Sequence, residues 1–591
     1  MMNPFKPVSS FIRRNFVDTM LVFMVAELSD SLCSIVDGIF VGRFLGAGAI
    51  AAHGIASPVF VFICIFSYFL TTAFQQMGTV AMGKGNVKEA NGLFNFAMSI
   101  SFVISMSVFV AGLIAPRTIA TLLGAGEGPV GEMTARYLEG VFIGTPALMF
   151  FLVLVPVLQL DGRWDLVRIG SVVMAVSDVA IDYLNVKVFH GGMFGMGLAT
   201  SVSYFLGLLV LLTYFLRKDR MFRIRLADMK GMKKMQFAGA GMPAGIRLAS
   251  MAVAIVIIDK MVIDAGGTTS MAAMGVQRNL SEMLLSLSTG LASAVLMFTG
   301  ISYGEKDREG LMDTLRLGNR GSFGIISFVS MLLWLFTPSI VGLYLNPDDT
   351  AFPETVCAVR WLIASMPLVC WNRDIAAYMQ GIGKNRFAIL IYVSGELILL
   401  CGCGAVLRPR WGAEGIFASY FFAQLILLAA IQVALFFTRD RRVKGLESFL
   451  SVPEDFGVPA DMRLSRMITR QEQVWELSEQ SLPFCEERGV SHEKAYLVSM
   501  YIEEMGKIIT TYGFTGSRPH KLEVRVSIDG ENIVIRFRDN CKRFDVREKA
   551  SFLKNESGHP DIPIAIRMVM GLCKDIVYNN SLNANNLMVV I

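Results

Sequence analysis

The sequence predicts an all-α polytopic membrane protein, twelve transmembrane helices in two six-helix lobes, followed by a soluble α+β domain. Three observations predict it. Hydrophobic residues make up 53% of the 591 positions and charged residues only 17%, against ~25% charged in soluble domains. The apolar residues come in uncharged blocks such as Asn95–Ala115, as long as the ~20 residues that a bilayer core requires. The pattern also occurs twice, at a constant offset of 221 residues, and gives way after Phe437 to charged, alternating sequence. A soluble enzyme, a disordered scaffold and a collagen-like fibre are excluded.

Read in order, the apolar blocks place spans near 16–43, 49–80, 93–116, 134–159, 165–188, 194–217, 237–264, 270–301, 318–345, 357–381, 386–408 and 412–437. The first block follows FIRRNF without an A-x-A-type cleavage site, so it reads as a retained span rather than a signal peptide. Lys and Arg concentrate in alternate loops, including GKGNVKEA, DGRWD, RKDRMFRIRLADMKGMKK, GEKDREG, GKNR and TRDRRVKG. The opposite loops are short or acidic, RPRWGAEG (Arg408–Gly415) excepted. The positive-inside rule then puts both termini and the tail in the cytoplasm, in the cell membrane. A net charge of +5 confined to span ends predicts no nucleic-acid partner. The nine cysteines form no CxxC pair and read as packing residues.

The repeat is explicit in the loops. AAHGI (Ala51–Ile55) matches AAMGV (Ala272–Val276), Gly83 matches Gly304, and Gln159 and Gly162 match Gln380 and Gly383. Hydrophobicity does not compel Gly or Gln in loops, so chance is a poor explanation. The copies cover 10–217 and 237–440, joined by a basic linker at 218–236; a second linker, 441–464, leads to the tail at 465–591. Two six-span copies run in the same direction and relate by an axis along the membrane normal, an arrangement that frames an alternating-access cleft.

Carboxylates inside apolar spans are costly and mark function. Span one holds Glu27, Asp30 and Asp37, the last two seven residues apart on one helix face. Span five holds Asp178 and Asp182, four apart, and span six brings Thr200. Gathered in one bundle, these carboxylates and Thr200 form a ring of hard oxygen ligands suited to a small monovalent cation or a proton. The second copy differs. Asp259 adjoins Lys260, a pair that neutralises itself, and the counterparts of Asp178 and Asp182 are Leu399 and Cys403. Glu282, Glu396, Arg247, Arg278 and an Arg373–Asp374 pair are its other polar residues, with Glu27, Asp30, Asp259, Glu282 and Glu396 the candidates to line the cleft.

These residues resemble the multidrug and toxic compound extrusion (MATE) transporters. SIVDGIFVGRFLGAGAIAAHGIA looks like the family's first span and turn, GMPAG (Gly241–Gly245) like the start of its seventh helix, and QLDGRWD and QGIGKNR like its paired loops. The resemblance covers residues 10–440. It implies exchange of Na+ or H+ for organic, often cationic, drugs, with no cofactor and a monomeric transport unit. It also implies cation binding at Asp37, Asp178, Asp182 and Thr200; Asp178 stands where Asn is common.

The tail reads as helices over RLSRMITRQEQVWELSEQSLPFCEERG and SHEKAYLVSMYIEEMGKIITTYGF. Two strands joined at Asp529-Gly530 follow, then a helix over IPIAIRMVMGLC and strands around DIVYNN and NNLMVVI. It resembles the histidine-kinase-like ATPase fold, an α/β sandwich, in its anti-sigma-factor branch, with the nucleotide motifs degraded. Glu503 and Asp539 stand at nucleotide-binding positions. Lys507 replaces a Mg2+-holding Asn, Cys541 replaces a glycine, and the lid is reduced to GHPDIPIA (Gly558–Ala565). The expected tail is therefore a regulatory domain for a cytoplasmic partner protein, without ATPase or kinase activity. Two other functions fit the architecture: a flippase for a lipid-linked substrate, which calls for a basic cleft, and a membrane sensor signalling through the tail.

Overall fold

Uncharged helical blocks built from Leu, Val, Ala, Met and Phe dominate the first 438 residues. A computed structural model describes residues 10–438, 450–453, 456–514, 520–530, 532–543, 571–582 and 584–591. The helices there are α1 Ser10–Phe40, α2 Ala47–Gly83, α3 Val87–Ile114, α4 Pro116–Leu122, α5 Pro129–Leu160, α6 Trp164–Leu184, α7 Gly192–Leu212, α8 Lys234–Gly304, α9 Arg308–Arg320, α10 Ser327–Leu335, α11 Thr337–Val341, α12 Phe352–Gly381, α13 Asn385–Val393 and α14 Leu399–Thr438. Among the described residues, eight helical stretches are long and apolar enough to cross a bilayer. The ranges expected for spans seven and eight both lie in α8, which Gly267 interrupts at φ 64°. Gly412 interrupts α14 in the same way at φ 59°.

The repeat recurs as backbone hydrogen bonding. After α2, Asn86 N donates to Ala81 O at 2.9 Å; after α8, Asp307 N donates to Ser302 O at 2.8 Å. After α5, Arg163 N reaches Leu158 O at 2.8 Å, and after α12, Lys384 N reaches Met379 O at 2.8 Å. Each pair is offset by the sequence period, so both copies end their helices with one turn design. Its left-handed residue is Gly85 (φ 76°) in the first copy and Lys306 (φ 54°) in the second, a position that suits glycine.

The copies meet where α2 and α8 end. A Cβ on Gly83 would collide with Ile301 O, and one on Gly304 with Val80 O. These contacts exchange under the same offset, so the pseudo-two-fold axis passes between the two glycines. Only glycine allows the backbones this close, and the lobes are shut together on the side of the basic loops.

The tail is a two-layer unit. Strands β1 Arg463–Ile468, β2 Leu522–Asp529, β3 Asn532–Asp539, β4 Asp575–Ser581 and β5 Ala584–Val590 form an antiparallel sheet in the order β1-β2-β3-β5-β4. Helices α15 Glu472–Glu486 and α16 His492–Ile508 cover one face, packing Val474, Leu477, Val498 and Met505 on Val524, Ile535, Phe537 and Val589. The helix expected from Arg463 is a strand over its first six residues. Pairing Leu464 with Val526 and Ile468 with Leu522 outweighs helix propensity there. The side chain of Gln473 then accepts from the backbone N–H groups of Thr469 and Arg470, at 2.8 and 3.2 Å, before α15 begins. The Asp529-Gly530 turn forms as expected, with Gly530 at φ 62° and Asp529 paired to Asn532. The expected lid, Gly558–Ala565, and most of the helix IPIAIRMVMGLC lie outside the described residues.

Strand alternation sends every second side chain to the opposite face, and that face rests on the basic-loop side of the membrane unit. Arg525 and Arg463 bond Asp307 at 2.6 and 2.9 Å. Arg538 grips Glu305 through both carboxylate oxygens at 2.6 and 2.7 Å. Those acids follow α8, in the second lobe. Toward the first lobe, Arg536 donates to Gly83 O at 3.2 Å, Leu582 N to Leu160 O at 3.1 Å, and Arg543 pairs with Asp161 at 2.9 Å. The tail thus bonds both lobes across their line of contact.

Candidate functional site

The first lobe gathers its acids deep between α1, α6 and α7. Asp178 and Asp182 lie one turn apart on α6, and both point toward Asp37 near the end of α1. The three carboxyls are buried and lie within 4.8 Å of one another. Thr200 on α7 donates to Asp37 Oδ2 at 3.4 Å, and Ser203, one turn on, donates to Asp178 Oδ1 at 2.9 Å. One oxygen of Asp37, one of Asp178 and both of Asp182 are buried with no hydrogen-bond partner. Buried polar atoms are normally satisfied. Three adjacent carboxyls with no cationic side chain among them are stable only when a cation or protons offset their charge. The donor set is all hard oxygen, which fits a group 1 or 2 cation and not a thiolate-seeking metal.

A cavity of about 170 Å3 opens onto this cluster, lined also by Asp30, His53, Tyr137 and Glu282. Asp30 accepts from Tyr204 Oη. Glu27 sits closer to the lobe interface, where it accepts from Tyr68 Oη at 3.1 Å and faces a small cavity between the lobes. Arg247, Arg373 and Tyr392 form the other wall of that cavity.

Two expected second-lobe pairings are replaced. Asp259 pairs with Arg278, one helical segment away, and not with its neighbour Lys260; adjacent helix positions diverge by about 100° and do not face each other. Arg373 pairs with Glu396 at 2.7 Å, while Asp374 turns to Ser322. Glu396 also has Arg247 at 3.9 Å. The second lobe therefore neutralises Asp259 and Glu396 with arginine and leaves Asp374 to Ser322, whereas the first gives its cluster no cationic partner. Ser203, Tyr204, Tyr68, Tyr137 and His53 escaped sequence reading. Ser203 and Tyr204 had a signal, since they follow Thr200 by three and four positions on one helix face.

In the tail, Asp539 is buried and committed internally. Its Oδ1 accepts from Cys541 N at 2.9 Å and Asn585 Nδ2 at 2.8 Å. Burial pushes this carboxyl up, with the bonds from Asn585 and Cys541 opposing. Glu503 is exposed on α16, as is Lys507 one turn on.

Comparison with known proteins agrees with this two-lobe architecture. The MatE family model matches twice, over residues 23–184 and 243–401, once in each copy and over more than half of the chain. The chain belongs to the MatE family. MatE proteins are secondary transporters, not enzymes, and this one is a multi-pass membrane protein. The probable multidrug resistance protein YoeA of Bacillus subtilis (strain 168) is 22% identical over 339 residues, 56% of this chain and 73% of that protein. The probable multidrug resistance protein NorM of Xanthomonas axonopodis pv. citri is 22% identical over 434 residues, 71% of this chain and 93% of that protein. Among solved structures, an outward-facing multidrug resistance MATE family transporter of the MOP superfamily superposes with a TM-score of 0.67 at 20% identity, covering 71% of this chain and 94% of that one. A MOP superfamily transporter from Pyrococcus furiosus gives 0.66, also at 20% identity, covering 71% and 94%. At this identity the likeness carries the fold.

Proposed function

We propose that this MatE protein is a cation-coupled antiporter that uses Na+ or H+ to export organic, cationic drugs or toxic metabolites by alternating access. Its twelve spans cross the cell membrane with both termini in the cytoplasm. The observation that carries this reading is the buried Asp37–Asp178–Asp182 cluster with its partnerless oxygens and Thr200 beside it. A cation entering the cluster neutralises it and favours one arrangement of α1, α6 and α7; coupling follows from unequal cation affinity in the two cleft states. The small acid-lined cavity gives a cationic substrate a reason to compete for the same lobe. The test is efflux of ethidium from cells, wild type against Asp37→Asn, with Na+ and H+ gradients imposed in turn. Gradient-driven efflux that disappears in the variant, from protein inserted at normal levels, supports antiport and names the ion. Efflux that persists unchanged in Asp37→Asn refutes the site.

The tail, in this reading, is a regulatory domain that does not hydrolyse nucleotide. Its support is the set of bonds to both lobes at the Gly83–Gly304 contact. A body that bonds both lobes favours the state in which they touch, here the one closed toward the cytoplasm, by its difference in affinity between states.

A further inference from the structure

Beside the docked tail lies a cavity of about 700 Å3, walled by the start of α3, the linker after α7 and the tail. Its size falls within the range of small-molecule sites. Six cationic side chains line it, Lys88, Lys218, Arg220, Arg223, Arg225 and Arg543, against two acids, Asp219 and Asp228. Both acids are already engaged. Asp219 pairs with Arg163, and Asp228 accepts from Asn91 Nδ2 at 2.7 Å. The cations therefore dominate the cavity.

Two buried donors are left over. Arg220 gives one Nη to Arg217 O at 2.6 Å, yet its Nε has no partner. Arg543 gives one Nη to Asp161 at 2.9 Å, and its other Nη has none. Span-end cations that merely set membrane orientation need neither a concave wall nor buried guanidinium N–H groups. Orphaned guanidinium donors are costly, and their planar forks match phosphate oxygens.

The walls are fixed in large part by backbone donors and by the Asp161 carboxylate. Arg223 N donates to Asn91 Oδ1 at 2.8 Å and Arg225 N to Asn95 Oδ1 at 2.9 Å. Tyr214 Oη and Met221 N both donate to Asp161 Oδ2, at 2.6 and 3.2 Å. The linker is therefore held open by its backbone, while its long basic side chains remain turned to the cavity.

We propose that this cavity binds a phosphate-bearing polyanion at the seam between the tail, the linker and the first lobe. The ligand goes beyond the antiport reading and does not depend on it. Its source is either a soluble compound carrying more than one phosphoryl group or the headgroup of an acidic phospholipid, and both present the same oxygens to Arg220 and Arg543. Because one wall belongs to the tail, occupancy adds a bridge between the tail and the first lobe.

The experiment uses the purified full chain. Pyrophosphate is titrated calorimetrically into detergent-solubilised protein. In parallel, the melting temperature is compared in nanodiscs of phosphatidylcholine with and without phosphatidylglycerol. The variants are Arg220→Gln, which removes a buried donor, and Arg223→Gln, an exposed change that leaves folding undisturbed. Saturable pyrophosphate binding that weakens at least about tenfold in Arg220→Gln, and less in Arg223→Gln, supports a soluble phosphate ligand. Stabilisation by phosphatidylglycerol alone, lost in Arg220→Gln, supports the headgroup. Absence of any response to either probe overturns the proposal, as does a response that both variants retain in full.

Discussion

Replacing Asp307 by Asn tests whether the tail clamps the lobes. Asn keeps the size of the side chain and is an equally good residue at a helix N-cap, the position Asp307 holds before α9. What changes is charge. The Asp307 side chain is 3% exposed and lies 2.6 Å from Arg525 and 2.9 Å from Arg463, themselves 8% and 13% exposed. Removing one partner of a buried ion pair costs about 3–5 kcal/mol, because the remaining charge stays buried. Arg525 retains Glu523 at 3.0 Å, so the lower end applies, about 3 kcal/mol or a roughly hundredfold fall in the ratio of docked to undocked tail. Hydrogen exchange reads this directly, since the Leu582 amide donates across the seam to Leu160 O. The peptide covering 575–591 should exchange faster by up to about that factor, and ethidium efflux should rise as cytoplasmic opening becomes easier. Unchanged exchange in that peptide, with the membrane unit still folded, would refute the clamp.

Other predictions follow from the same geometry. Gly304→Ala drives a methyl into Val80 O; overpacking of about 1–3 kcal/mol should push the lobes apart and make cysteines placed in the cleft more reactive from the cytoplasmic side. Lys306 occupies a left-handed position that glycine fills in the first copy, and its pair with Asp529 is more than half exposed. Lys306→Gly should therefore raise stability by about 1 kcal/mol, read as a small rise in melting temperature. The second-lobe half of the docking should be insensitive to pH over the neutral range. Burial alone would raise Glu305 and Asp307, but Arg538 and Arg536 at the first, and Arg525 and Arg463 at the second, hold both carboxyls below their ordinary values. Their contribution is complete above about pH 4.5 and is lost only as pH falls through the depressed values. Because burial pushes Asp161 the other way, exchange at 575–591 is measured in an Asp161→Asn background from pH 8 down to 5, corrected for the intrinsic rate, and should show no transition.

The legibility of the sequence divides along a physical line. Features fixed by local pattern are plain: apolar blocks, the offset of 221 residues, the two acids one turn apart on α6 and the Asp529-Gly530 turn. Whether three distant carboxyls converge depends on packing, yet a charge in an apolar span has so few tolerable environments that Asp37, Asp178 and Asp182 could be grouped before their geometry was known. Pairing choices in the second lobe were not legible. Asp259 and Lys260 are adjacent in sequence, and only the three-dimensional path of α8 shows that Arg278 reaches the acid instead. The strand at Arg463 was hidden for a similar reason, since its helix-compatible residues become a strand only against β2.

The seam was half visible. Once the Asp529-Gly530 turn sets the register, Arg525 must stand directly opposite Arg536. Like charges across an antiparallel pair are destabilising; Glu523 of β2 offsets part of this by pairing with Arg525 at 3.0 Å, and the remaining cations call for acids from outside the strand pair. The GEKDREG loop offers Glu305 and Asp307, one residue beyond the glycine that marks the symmetry axis and two residues apart. The first copy has Gly83, Lys84, Gly85 and Asn86 at those places and no acid until Glu89. The tail therefore breaks the two-fold relation of the loops it covers, taking most of its ion pairs from the second lobe and, from the first, backbone carbonyls together with the Asp161–Arg543 pair. That division has a mechanical consequence. Glu305 and Asp307 of the second lobe hold four arginines of the tail, while the first lobe offers one carboxylate, Asp161 to Arg543, and the carbonyls of Met82, Gly83 and Leu160, the weaker set. When the lobes part, the first-lobe contacts, of which the Asp161–Arg543 pair is the strongest, should release before the larger set of second-lobe ion pairs does, so the tail travels with the second lobe, and the wall formed by Arg543 leaves the basic cavity as the cleft opens.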